Sequence, residues 1–122
     1  MAEGLPTMAV CAAGSDLETA LVSDRFARCA YFHILEGGAR ERRVMANPAA
    51  ERPHGAAAAA VAALSREGVK VVFARRFGGK ASEALKEFNI GARVTELPCV
   101  SDVVECIQRE VLDGHPCSDP SD

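Results

Sequence analysis

His54 and Gly55 stand at the head of an alanine-rich run, and Arg75-Arg76-Phe77-Gly78-Gly79-Lys80 stands at the head of a second periodic segment. Both positions read as helix starts. A helix start leaves its first backbone N–H groups unpaired and carries the positive end of the helix dipole, so it attracts anions. His54 adds an imidazole, which ligates metals or moves protons at neutral pH. In the second stretch, Gly78 and Gly79 let the backbone approach a ligand, while Arg75, Arg76 and Lys80 add positive charge. The chemistry indicated is the holding of an anion: a phosphate, an oxyanion or a negatively charged metal cluster. The spacing is not that of a P-loop. Taken singly, each stretch also reads as a solvated polar loop.

The thiols come next. There are five cysteines and no C-x-x-C pair. This excludes a disulfide framework or a zinc ribbon, and reduced thiols are expected. Cys11 lies in an apolar run and belongs in a core. Cys29 lies beside Arg25 and Arg28. Nearby cations favour the thiolate, a soft ligand for copper, iron–sulfur or molybdenum–sulfur species. His54 is the first candidate for direct ligation and Cys29 the weaker second, with plain burial as the competing account of Cys29. Cys99 and Cys106 are too far apart along a helix to chelate together. His33 falls mid-strand and reads as an ordinary sheet residue.

Hydrolysis finds no support. A two-metal nuclease needs clustered carboxylates, but the run Thr7 to Ala13 contains no acid, and Asp16, Glu18 and Asp24 lie beyond it. Nothing fixes a thiol beside a histidine, and no C-x-x-x-C-x-x-C motif of radical enzymes is present. The expectation is a protein that is not an enzyme. A net charge of −3 exerts no general pull toward nucleic acid or anionic membrane. No apolar run approaches the ~20 residues that span a bilayer. The N-terminus lacks the pattern of a signal peptide, so the cytoplasm is the expected compartment.

These residues need elements to position them. Thr7 to Ala13 reads as a strand buried on both faces. Cys29 to Glu36 and Arg40 to Asn47 read as a strand pair turning at Gly37-Gly38, the second charged enough for a sheet edge. Pro53 to Gly68 reads as a helix. Val69 to Ala74 reads as a buried strand and Ala81 to Phe88 as a helix. A short strand follows within Ile90 to Leu97. Val100, Val103, Val104, Ile107 and Val111 form the apolar stripe of a last helix, with Ser101 as its expected N-cap. The chain divides into one domain over 1–112 and a tail over 113–122 that is expected to be disordered. The fold class is α/β. The order β-β-β-α-β-α-β-α gives a five-stranded mixed sheet, the layout of ribonuclease H-like folds. The first, third, fourth and fifth strands then end at one edge of the sheet. There the loop beginning at Gly14, the His54-Gly55 helix start and the loop from Arg75 to Lys80 converge.

Val22-Ser-Asp-Arg-Phe-Ala-Arg-Cys-Ala-Tyr-Phe32, Asn47-Pro48, His54-Gly55 and Gly68-Val-Lys-Val-Val72, in this order and spacing, resemble the dinitrogenase iron–molybdenum cofactor biosynthesis family. The resemblance runs from about Met8 to Ile107. It implies a ribonuclease H-like fold and a small carrier of the nitrogenase cofactor, its precursors or another molybdenum- or iron-containing cluster. It also implies that Ser23, Arg25, Phe26, Asn47, His54 and Gly55 lie around the ligand-binding surface. Two differences stand out. Phe26-Ala27 replaces the Phe-Gly frequent in the family, and the basic Arg75–Lys80 loop replaces a usually neutral one. The second difference points to a more anionic ligand, or to a different one.

The resulting expectation is a non-enzymatic carrier or assembly factor for an anionic metal–sulfur cluster. Arg25, Arg75, Arg76 and Lys80 would neutralise the cluster, and Gly55, Gly78 and Gly79 would admit backbone amides. The cluster need not be present in the isolated protein. The expected partners are cluster donor or acceptor proteins, with the chain a monomer or weak homodimer. The rival is a regulatory or scaffold module that binds a small anion or a protein partner without metal.

Overall fold

The apolar run and the strand pair form β1 over Thr7–Ala12, β2 over Tyr31–Glu36 and β3 over Glu41–Ala46. They are followed by α1 over Ala56–Arg66, β4 over Val69–Ala74, α2 over Gly79–Glu87, β5 over Gly91–Val94 and α3 over Val100–Asp113. The structure is a computed structural model that describes residues 7–113 except 17, 37–40 and 53, with side chains described to residue 109. The Gly37-Gly38 turn, Pro53, the side chain of Val111 and the tail beyond Asp113 lie outside the described residues.

The five strands form one sheet in the order β3-β2-β1-β4-β5. β2 runs antiparallel to β1 and β3, while β4 runs parallel to β1 and β5. The arrangement is ribonuclease H-like. β3 is an edge strand, and its exposed Glu41, Arg42 and Arg43 make that edge poor for pairing with another chain.

Alternation along β1 sorts the core into two layers. Ala9 and Cys11 join the cluster under α1 and α2 with Phe32, Ile34, Leu64, Val72 and Leu85. Val10 and Ala12 join the cluster under α3 with Leu35, Phe73, Val100, Val103 and Ile107. Each fully buried aliphatic side chain contributes roughly 1.5–3 kcal/mol. The α3 stripe therefore anchors the last helix, beside the polar Ser101, Asp102, Glu105, Gln108 and Arg109.

The elements begin and end where local chemistry dictates. α1 starts at Ala56 rather than at Pro53, because Gly55 takes φ +70, which a helix cannot include. It ends at Arg66, and Gly68 follows at φ +81 as the left-handed stop. α2 starts at Gly79, two residues earlier than the apolar spacing indicates. Ser101 is not the N-cap of α3. The carbonyl of Cys99 already accepts from the N–H groups of Asp102 and Val103, so Ser101 lies inside the first turn. β2 begins at Tyr31 rather than Cys29, whose carbonyl is taken by the Asn47 side chain at 2.8 Å. Cys11, Cys29 and Cys99 are free thiols. Cys106 is disulfide-bonded, so the expectation of a fully reduced set fails at that position.

Candidate functional site

The connections leaving the C-terminal ends of β1, β3 and β4 meet at one edge of the sheet. They enclose a cavity of about 680 Å³. One wall is Arg25–Arg28, the second is His54–Ala58 at the head of α1, and the third is Arg76–Ala81 at the head of α2. Both helices aim their N-termini at this space. Neither has a side-chain cap, and neither has an acid in its first turn. Their first intrahelical bonds close at 3.0 Å from Ala59 N to the Gly55 carbonyl and 2.9 Å from Ser82 N to the Gly78 carbonyl. The N–H groups of the two first turns precede those bonds. They are the donors a helix offers to an anion.

Aromatic packing forms the floor. Phe26 is 1% exposed. Its ring lies 5.8 Å from Phe32 and 5.6 Å from Phe77. It thereby pins the 25–28 segment to the sheet on one side and to the α2 approach on the other. Arg25, Arg76, Lys80 and His54 are exposed around the rim. The cavity combines amide donors, cations, one imidazole and an apolar floor. That set suits a polyanion with a hydrophobic or soft surface.

A second cavity of about 620 Å³ lies alongside and shares Arg25 and Arg28 with the first. Ser23, Asp24 and Arg75 line it. Arg75 does not stand free. Its Nε lies 3.7 Å from Asp24 Oδ1, and its Nη2 donates to the Leu97 carbonyl at 3.5 Å.

The residue pattern from 6 to 110 matches the family described as dinitrogenase iron-molybdenum cofactor. The chain belongs to that family. Among solved structures, the apo form of the orange protein from Desulfovibrio gigas is 28% identical, with a TM-score of 0.72 over 89% of this chain and 88% of that one. A putative NifB protein from Thermotoga, placed in the DUF35 family, is 28% identical, with a TM-score of 0.74 over 86% of this chain and 89% of that one. The PH0822 protein is 23% identical and shares the fold, with a TM-score of 0.68 over 84% of this chain and 89% of that one. No curated protein matches the chain.

The residues singled out in this family member fall into three groups. Arg25, Phe26, His54, Gly55, Arg76, Gly78, Gly79 and Lys80 line the first cavity. Ser23 and Arg75 line the second, together with Arg25. Asn47 and Cys29 line neither; both are buried behind the wall. Asn47 Nδ2 donates to the carbonyls of Ala27 at 3.1 Å and Cys29 at 2.8 Å, while its Oδ1 accepts from Ala49 N at 2.9 Å. It clamps the 27–29 segment to the turn after β3.

Arg28 performs the matching task from the other side, and sequence reasoning named it only as a neighbour of Cys29. Its Nη1 donates to the carbonyls of Ala50 at 3.3 Å and Arg52 at 2.6 Å. Those partners lie 22 and 24 residues away, so no local pattern reveals them. Among the described residues, no group of three or more His, Cys, Asp or Glu side chains is placed to hold a metal ion. None of the described helices is long and apolar enough to cross a membrane.

Proposed function

We propose that this family member is a non-enzymatic carrier or assembly factor for an anionic metal–sulfur cluster, of the iron–molybdenum cofactor type or another molybdenum or iron cluster. The observation that supports this most is the convergence of two uncapped helix N-termini with Arg25, Arg76 and Lys80 around one cavity. A metal–sulfur cluster is a large anion whose sulfides accept weak hydrogen bonds. Amides and cations hold such a cargo without ligating every metal, and it can then be passed on. His54 supplies a ligand at the rim. Arg75 belongs to the adjoining cavity, where it and Ser23 shape the wall behind Arg25. Asn47 positions that wall. Cys29 reaches a cluster only if the Phe26 segment moves.

The partners under this reading are cluster donor and acceptor proteins of the cytoplasm, with the chain a monomer or weak homodimer. The test is anaerobic purification from the native host, followed by an absorption spectrum and elemental analysis. The expected result is stoichiometric molybdenum, iron or copper with visible charge-transfer bands. His54→Ala is expected to weaken cluster retention while leaving the fold intact. A colourless, metal-free protein that also resists anaerobic reconstitution overturns the proposal. It would leave the cavity to a small anion or an acidic partner.

A further inference from the structure

The second cavity, of about 620 Å³, has no ligand under the carrier reading. Its volume falls in the range of small-molecule sites. Its floor is stitched backbone. Ala13 N donates to the Leu21 carbonyl, Val22 N to the Pro98 carbonyl, Ser23 N to the Cys11 carbonyl and Val100 N to the Ala20 carbonyl, each at 2.9 Å. Isolated bridges join Val22 to Ala12 and Leu21 to Cys99. The 20–23 segment is thereby tied to the end of β1 on one side and to the approach to α3 on the other. The cavity stands on a fixed base.

The two halves of its lining differ in chemistry. Leu21, Val22 and Pro98 form an apolar wall. Leu21 is 55% exposed, one of three large hydrophobics that the described residues leave at the surface. Arg25, Arg28 and Arg75 form a cationic wall, and Asp24 is the one acid among the lining residues. Arg75 is held loosely. Its Nε lies 3.7 Å from Asp24 Oδ1 and its Nη2 lies 3.5 Å from the Leu97 carbonyl. A charge-assisted hydrogen bond closes at about 2.7–2.9 Å. The Asp24 side chain is mostly exposed, so a ligand can take its place. Its carboxylate marks the group that this guanidinium accepts.

We propose that the second cavity binds a small monocarboxylate with a short aliphatic chain. The ligand carboxylate displaces Asp24 beside Arg75, and the chain lies on Leu21, Val22 and Pro98. A guanidinium receives a carboxylate through two parallel N–H···O bonds, a geometry that an exposed and distant Asp24 does not supply. An inorganic oxyanion has the charge but leaves the apolar wall wet. An alcohol covers that wall but leaves the guanidiniums unanswered. A carboxylate on a short chain answers both. The site needs no cluster and stands apart from the carrier reading, although Arg25 and Arg28 line both cavities.

The experiment titrates the metal-free, full-length protein with acetate, butyrate, hexanoate, hexanol and inorganic phosphate, and follows backbone amides by NMR. The expected result is saturable shifts at Leu21, Asp24 and Arg75. Affinity should rise from acetate to hexanoate by up to about fourfold per methylene, with hexanol and phosphate weaker than hexanoate. Arg75→Gln should lower hexanoate affinity about tenfold or more. Asp24→Asn should raise it, because the competing carboxylate is gone. Leu21→Asn should flatten the dependence on chain length and leave acetate unchanged. Equal affinity for acetate and hexanoate, phosphate binding as tight as hexanoate, or shifts confined to the heads of α1 and α2 would each overturn the proposal. If Arg75→Gln fails to fold, the exposed Asp24 and Leu21 variants decide. No metal enters the readout, so its outcome leaves the cluster proposal to its own test.

Discussion

Asn47 commits both ends of its amide to backbone groups, and the walls of the cavity depend on that clamp. Asn47→Ala leaves buried carbonyls without a donor, at a cost of about 2–3 kcal/mol. Urea denaturation measures this directly, and the cavity ligand should bind more weakly in proportion to the loosened wall. His33 makes a different residue-scale argument. It is fully buried, its Nε2 bonds the Gly14 carbonyl at 2.9 Å, and its Nδ1 has no partner. Burial lowers its pKa from the ordinary 6.5, and Arg42 lowers it further, while the Gly14 bond and Asp16 act in the opposite direction. The folded state therefore holds this proton less well than the unfolded chain does. The sign follows: the His33 contribution is complete above pH 6.5, declines as pH falls below it, and levels off under the folded pKa. Urea midpoints measured from neutral pH downward should show that decline. His33→Gln, which keeps a donor for Gly14, should flatten it.

At the scale of elements, α1 and α2 both begin without a side-chain cap and without an acid in the first turn. Gly78 adopts extended backbone at φ −71, which any residue can take, and nothing lies within 4 Å of a Cβ placed there. Gly78→Asp should cap α2 and stabilise the protein by about 0.5–1 kcal/mol. The same carboxylate would occupy the free N–H groups and repel an anion, lowering affinity about tenfold or more. Opposite changes in thermal midpoint and in anion affinity by calorimetry are the expected signature. Gly55 is the reverse case. A Cβ there also meets open space, but φ +70 imposes backbone strain on any side chain. Gly55→Ala should cost about 1–2 kcal/mol and Gly55→Asn less, as read from denaturation curves.

Over the whole molecule, charge is unevenly distributed. The chain is net −3, yet Arg25, Arg28, Arg76 and Lys80 gather at one cavity. Binding there should weaken as salt rises, because the rim cations are exposed and screened. Arg76→Gln with Lys80→Gln should lower anion affinity about tenfold and leave the urea midpoint unchanged, since both side chains are exposed. Calorimetry at two salt concentrations tests both statements.

The sequence by itself determined the element order, the mixed sheet and the two helix heads. These follow from local signals: apolar runs, alternation, glycine stops and alanine content act over a few residues. The basic loop from Arg75 to Lys80 was legible for the same reason. Only the tertiary structure decided which cations share a space. Arg75 turns to Asp24 and Leu97, while Arg76 and Lys80 remain at the first cavity. Asn47 proves to be a clamp behind the wall, Arg28 reaches across to Ala50 and Arg52, and the Cys11 thiol donates to the Phe26 carbonyl. Each of these contacts joins segments far apart along the chain. Strand register and loop packing set them, and no window of neighbouring residues contains that information.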